Sequence, residues 1–393
     1  MDHSLYVHIP FCKHRCHYCD FNTYAGKESL IPSYVDVLIQ EIRIASGYLP
    51  EISTHSIYFG GGTPSLLSLV EYEKLFDAID QGFSLTHDVE ISIEVNPGTL
   101  TLSFLDGLRK MGFNRISIGV QSTNPIDLNR LDRIHDINDI LEGVRFARRV
   151  GFDNINLDLI FNQPWQDLPS WKNSLARAID LAPEHFSVYA LIIEPRTALS
   201  DWFHRGLIAL HDQDLEAEMY EWTIEMLDRE GYVHYEISNW AKVSADRDFR
   251  CRHNLQYWYN LPYVGIGAGA HGYLGNIRTE NESQIEEYIT RMRHGGLDAL
   301  SFPETPATIL TSGIDIATQM KDFMWLGLRL VNEGVSEDRF HKTYGCSMQK
   351  VFDAEISALL DMGLVRLSEE KGGTLMLSKR GVMLANQVFM QFV

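Results

Sequence analysis

Residues 1–195 alternate short apolar, β-branched runs with longer stretches of helical spacing, six times over. Strands are expected at 4–9, 56–59, 90–95, 115–120, 154–160 and 185–191, and helices between them at 34–47, 69–81, 102–111, 137–150 and 168–181. Gly112, Gly151 and Pro183 stand where helices should stop. A strand joined to the next through a helix must run parallel to it, because only a crossover of that length returns the chain in the same direction. The expected fold is α/β: an open, TIM-like partial (β/α)6 barrel.

In such a sheet the residues just past the strand C-termini gather at one mouth. The first strand leads straight into Cys12-Lys13-His14-Arg15-Cys16-His17-Tyr18-Cys19, which places three of the five cysteines within eight residues. Three thiolates on one loop repel unless something positive lies between them, so a metal centre is expected. Zinc would need a fourth ligand, which His14 or His17 could supply. A [4Fe-4S] cube held by three cysteines would leave one iron without a protein ligand. A disulfide or unbound thiols are the remaining readings.

The next strand ends are equally polar. They read Gly60-Gly61-Gly62-Thr63-Pro64, Glu94-Val95-Asn96-Pro97 and Gly119-Val120-Gln121-Ser122, and the fifth strand carries Asp158. Singly, each has an ordinary explanation: glycines turn, Glu94 or Asp158 caps a helix, Gln121 satisfies a backbone group. Together, at matching strand ends beside a cysteine loop, they favour a site for a small polar cofactor with hydroxyl and amino groups.

A formal charge of −19 argues against nucleic acid and against docking on an anionic membrane. No 18-residue apolar run and no signal-peptide pattern is present, and an odd cysteine count does not suit a secreted disulfide framework. The expectation is a cytoplasmic protein.

The C-x3-C-x2-C run with Tyr18 before its last cysteine, followed by a glycine-rich second strand end, resembles the radical S-adenosylmethionine (SAM) proteins. Over nearly the whole chain the pattern is similar to the branch holding oxygen-independent coproporphyrinogen III dehydrogenase and the HemW haem chaperones. The resemblance implies that Cys12, Cys16 and Cys19 hold a [4Fe-4S] cluster, and that Tyr6, Tyr18, Gly61, Gly62, Thr63, Glu94, Gln121, Arg133 and Asp158 lie around cluster and SAM. Zinc explains none of these strand-end residues. In two places the pattern departs: Asp132 stands where the branch often has glycine, and Asn162-Gln163-Pro164 replaces the usual Gly-Leu-Pro.

Three features separate the two functions of the branch. Only eleven residues precede Cys12, Phe21 occupies the place of a further cysteine common in the dehydrogenases, and residues 253–258 read His-Asn-Leu-Gln-Tyr-Trp. The last matches the H-N-x-x-Y-W motif associated with haem in HemW proteins, which implies His253, Tyr257 and Trp258 as haem-binding residues. By residue type alone, these three are as well explained as core aromatics and a bridging histidine. An imidazole with aromatic walls, and Cys251 nearby, also suits a haem iron. No C-x-x-C-H occurs, so ordinary c-type attachment is not expected. The glycines of 265–272 lack the βαβ context of a dinucleotide site and suit close backbone packing; His271 is a second candidate iron ligand.

The C-terminal part, with helices expected at 322–330, 336–344 and 348–362, a hairpin around Gly372-Gly373 and a last helix from Arg380, looks like a winged helix. Its third helix carries Lys350, Asp353, Glu355 and Asp361, which does not suit a DNA groove. Three parts are expected: residues 1–195 as the barrel, 196–305 as an α/β extension bearing the haem motif, and 306–393 as the winged-helix-like segment. The resemblance implies a haem chaperone, with no catalytic residue assigned, that delivers haem to an acceptor haemoprotein of respiration, membrane-associated or not. It also implies a homodimer. The rival is the dehydrogenase, which oxidatively decarboxylates a porphyrinogen. A cluster-stabilised docking scaffold is the third reading.

Overall fold

The structure is a computed structural model that describes residues 2–49, 52–209, 212–296, 300–368 and 372–393. It comprises two compact units, residues 1–223 with 262–312, and residues 224–261 with 313–393.

In the first unit the six expected strands are present: β1 (His3–Ile9), β2 (Ser53–Gly61), β3 (Ser84–Val95), β4 (Arg115–Gln121), β5 (Ile155–Phe161) and β6 (His185–Ala190). Each pairs parallel with the next in chain order. Helices α1 (Ile31–Ser46), α2 (Leu69–Gly82), α3 (Leu102–Lys110), α4 (Ile137–Arg149) and α5 (Leu168–Ile179) fill the connections. Two of them start at capping boxes: Ser68 with Glu71 on α2 and Asp136 with Asp139 on α4, each satisfying two backbone donors at the helix end. β2 and β3 begin earlier than expected, at Ser53 and Ser84, beyond a register shift between Thr54 and Ser56.

The strands have two unlike faces. Ile57 and Phe59, Ile91, Ile93 and Val95, Ile116 and Ile118, Ile155 and Leu157, and Phe186 and Val188 are all buried on one of them. Helices cover that face: Phe59 of β2 packs against Tyr72 and Phe76 of α2, and Phe161 of β5 against Trp171 of α5. Each side chain buried this way contributes roughly 1.5–3 kcal/mol. The alternate positions, Tyr6 and His8, Tyr58, Ser92 and Glu94, Arg115 and Ser117, Asn156 and Asp158, and His185 and Ser187, form the opposite, polar face. Of the strand residues expected in the cofactor site, Tyr6, Glu94 and Asp158 fall on this second set, while Gly61 and Gln121 end their strands outside it.

On the other side of β1, strand Tyr263–Ile266 also pairs parallel, with Tyr6 opposite Gly265. The glycines of 265–272 serve packing, as expected: a Cβ on Gly265 would lie 1.8 Å from the His271 carbonyl oxygen, and one on Gly267 2.7 Å from that of His8. The segment is tied to α1 by the fully buried Glu41. Its carboxylate accepts from Gly267 N at 2.8 Å, Tyr288 Oη at 2.6 Å, Asn281 Nδ2 at 2.7 Å and Thr305 Oγ1 at 2.9 Å. Burial pushes its pKa up, and the four donors oppose that shift. Glu41→Ala strands those donors in the interior, so it is expected to cost about 3 kcal/mol or more in urea unfolding, while Glu41→Gln costs less.

In the second unit, Val233–Glu236 and Asn239–Ala241 pair antiparallel and helix Arg252–Trp258 carries residues 253–258. The C-terminal order matches the winged-helix expectation: helices Ile316–Leu328, Glu337–Tyr344, Met348–Val351 and Asp353–Asp361, the antiparallel pair Val365–Ser368 and Thr374–Leu377, then Lys379–Met383 and Ala385–Phe389. The helix expected over 348–362 breaks at Phe352, which is buried, while Val351 is 43% exposed.

Candidate functional site

Cys12 ends a short strand, Phe11–Cys12, that pairs parallel with Tyr24–Ala25. The glycine-rich end of β2 is stitched to it: Gly62 N donates to Ile9 O at 2.9 Å and Thr63 N to Phe11 O at 2.8 Å. A Cβ on Gly61, at φ +113°, would lie 2.5 Å from the His8 ring, and one on Gly62 2.6 Å from Phe11 O. What they require is close approach of two strand ends.

Each cluster cysteine has a neighbour from a different element. Thr63 Oγ1 is 3.5 Å from Cys12 Sγ, Arg133 Nη1 donates to Cys16 Sγ at 3.5 Å, and Thr23 Oγ1 is 3.8 Å from Cys19 Sγ. Arg133 also donates through Nη2 to Gly119 O at 2.8 Å, joining the loop to β4. None of the three cysteines is in a disulfide, and Cys12 senses the charge of both others. Burial pushes the Cys12 and Cys19 thiols up. His14 and His17 both turn Nε2 to the Asp132 carboxylate, His17 at 3.1 Å. His17 further packs on Trp202, with ring centroids 4.5 Å apart, and donates its backbone N–H to Leu131 O.

The departures at Asp132 and Asn162 have a common physical reason. Both residues have left-handed backbones, φ +61° and +57°, the conformation that glycine, and after it Asn and Asp, adopts most readily. Asp132 adds a carboxylate against the cysteine loop, and Asn162 Nδ2 donates to Glu216 Oε2 at 2.7 Å.

On the polar face Glu94 accepts from Tyr58 Oη at 2.8 Å and Gly61 N at 3.1 Å. Tyr6 stacks with Tyr58 and its hydroxyl lies 2.9 Å from His8 Nδ1. Gln121 follows a bulge in β4 at φ +64°. Asp158 accepts from Ser117 Oγ at 2.9 Å and from Asn156 Nδ2 at 2.7 Å, while His185 Nδ1–H donates to Asn156 Oδ1 at 2.6 Å. Burial raises Asp158, and burial together with the Asp158 charge raises Glu94 to about 7. Arg115, 1% exposed, opposes both shifts and, after burial, adds to the depression of His185. Arg115, Ser117, Asn156, His185 and Tyr58 were not singled out in the sequence; their shared strand parity with Glu94 and Asp158 was the available signal.

In the second unit His253 is buried and its Nε2 lies 2.9 Å from Tyr257 Oη, one helical turn on. Trp258 packs with Tyr259 against Tyr235, Ala241, Leu255 and Leu330, under the Arg329 guanidinium at 4.1 Å. The motif is thus part of a local core. His271 lies in the first unit, exposed at the start of strand His271–Leu274.

With this geometry in place, comparison with known proteins separates fold from family. Residues 6–173 match the radical SAM superfamily and residues 314–384 the HemN C-terminal domain. The solved structure of coproporphyrinogen III oxidase (HemN) from Escherichia coli superposes with a TM-score of 0.85 at 24% identity, covering 100% of this chain and 90% of that one, which establishes the radical SAM fold. The heme chaperone HemW of Bacillus subtilis is 38% identical over 99% of both chains. The chain belongs to the HemW family. Family members from Lactococcus lactis, 34% identical over 99% of this chain and 97% of that one, and from Escherichia coli, 39% identical over 68% and 69%, agree.

Two outcomes follow for this HemW-family chain. A carboxyl whose folded pKa exceeds its unfolded one holds a proton that the unfolded chain releases, so Glu94 lowers stability as pH rises from about 4.5 through about 7. Glu94→Gln is therefore expected to stabilise the cofactor-free protein at pH 8, by about 3 kcal/mol at most, and not at pH 4, read by urea unfolding. Asp132→Gly keeps the left-handed backbone and removes the carboxylate from His14 and His17. Reconstituted D132G is expected to lose its iron to a chelator about twofold faster or more than the parent, followed by visible absorbance.

Proposed function

We propose that this protein is a haem carrier that holds a [4Fe-4S] cluster and SAM in its first unit, binds haem at residues 253–258, and hands it to acceptor haemoproteins, respiratory ones among them. The observation that carries this reading is the likeness, 38% identical over 99% of both chains, to a relative named heme chaperone. The donor set fits the cluster: three free cysteines on one loop, each beside a hydroxyl or guanidinium donor that suits a bound thiolate. When bound, such a cluster supplies an iron open to the amino and carboxylate groups of SAM, and a low-potential electron.

The chain's own residues would then bind and orient. Cys12, Cys16 and Cys19 hold the irons, with Tyr18 and Arg133 beside them. Glu94 and Asp158 are buried acceptors for the cofactor's ammonium and hydroxyl groups, with Tyr6, Gln121 and the backbone of Gly61, Gly62 and Thr63 completing the lining. His253 can offer Nε2 to haem iron by exchanging its Tyr257 partner, with Trp258 as an aromatic wall. Among the described residues no helix is long and apolar enough to cross a membrane.

The rival, an oxidative decarboxylase of coproporphyrinogen III, draws support from the HemN-like fold. Against it stands Phe21, 62% exposed, at the position of the further cysteine. Anaerobic assay decides. The reconstituted protein is expected to bind haem saturably by its Soret band, to bind it about tenfold more weakly as His253→Ala, and to leave coproporphyrinogen III unchanged with SAM and reductant. Conversion to protoporphyrinogen IX would sink the carrier reading.

A further inference from the structure

The second unit contains a cavity of about 150 Å³ lined by Trp258, Tyr259, Phe323, Glu333, Ser336 and Arg339, among others. It adjoins the haem motif through Trp258, the motif's last residue. At this volume it falls below the size of a site for a whole drug-sized molecule, and suits one small arm of a ligand.

The cavity's acceptors are taken while donors are left over. Glu333 uses both carboxylate oxygens: Oε1 accepts from Arg250 Nη1 at 2.5 Å and Oε2 from Tyr259 Oη at 2.6 Å. Arg339 donates through Nη2 to Tyr259 O at 2.5 Å, and its guanidinium lies between the Tyr259 and Phe323 rings, 5.0 and 4.9 Å from their centroids. Among the described residues its Nε and Nη1 make no hydrogen bond and it forms no ion pair; the Glu333 charge reaches it only through space. Trp258 Nε1 is buried with no partner among the described residues. Where the remaining groups are donors and one is a planar cation between aromatic walls, the complementary ligand is a flat anion with two acceptor oxygens.

We propose that this cavity binds a carboxylate, with Arg339 as its fork. Resting on the carrier reading, the carboxylate is a propionate arm of haem whose ring meets the motif helix; a free small carboxylic acid has the same chemistry, and the test separates the two. The assignment goes beyond the motif, because Arg339, Phe323 and Ser336 lie outside residues 253–258.

The test titrates the reconstituted full-length protein, R339Q and R339K with haem and with haem dimethyl ester, whose acid arms are masked, following the Soret band, and records each variant's melting temperature. The wild type is expected to bind haem about tenfold more tightly than the diester, R339Q to bind both alike, and R339K to recover part of the preference. If R339Q melts early, R339K carries the comparison through its reduced preference. A full preference retained by a folded variant overturns the assignment, as does equal binding of acid and diester by the wild type. If the wild type binds neither, the carrier reading fails separately and sodium propionate followed by saturation-transfer NMR decides the cavity. A signal with wild type that is lost in R339Q supports a free-acid site, and equal signals or none overturn it.

Discussion

The first unit depends on strands with two unlike faces. One face is an unbroken apolar surface that can be buried only under helices, as Phe59 is under Tyr72 and Phe76. The face opposite is then free to carry groups that a helix-packed core would reject: Glu94, Arg115, Asn156, Asp158 and His185. Arg115, Asn156 and His185 remain buried and Glu94 and Asp158 half-buried, so their polar atoms draw on neighbours from adjacent strands. The parallel register makes this possible by setting Ser117 opposite Asn156, Asn156 opposite His185 and Asp158 opposite Ser187, so that polar side chains meet in layers across the sheet.

Electrostatically the centre of this face is a balance between two acids and one cation. Burial raises the cost of ionising both acids, the Asp158 charge adds to it at Glu94, and Arg115 offsets it at both from within the sheet. The chain from His185 through Asn156 to Asp158 runs in one direction, each member donating to the next, which holds the carboxylate in a single orientation. Depression of the His185 pKa by burial and Arg115 keeps the imidazole neutral and the direction of that chain unchanged across ordinary pH. Such an arrangement is costly for the fold, and groups held this way concentrate at functional sites.

Much of this arrangement is legible in the residues themselves. The alternation of apolar runs and helical stretches locates all six strands, and the cysteine spacing identifies the loop, because both signals are local. The supporting residues are harder to see. Arg115, Asn156 and His185 sit inside runs that read as buried strand, where a polar residue is noticed only once alternation is counted across several strands together. The placement of Tyr263–Ile266 beside β1, more than two hundred residues away, has no local signature, since pairing partners are chosen by tertiary packing. The roles of Gly61 and Gly62 also depend on distant atoms: the His8 ring and the Phe11 carbonyl that forbid a Cβ become visible only when the two strand ends are side by side. At Asp132 the sequence shows a departure from the family pattern, while its backbone angle and its histidine partners supply the reason.

The tethering of the cysteine loop also bears on how a centre can be assembled there. An eight-residue loop that is disordered before metal arrives must lose its conformational freedom at the moment of capture, at a cost of roughly 1–2 kcal/mol for each residue fixed. Here Asp132, Leu131, Trp202 and Arg133 restrain His14, His17 and Cys16 through the protein's own contacts. Contacts of this kind fix much of the loop as the barrel folds, so part of its ordering entropy is lost in folding itself.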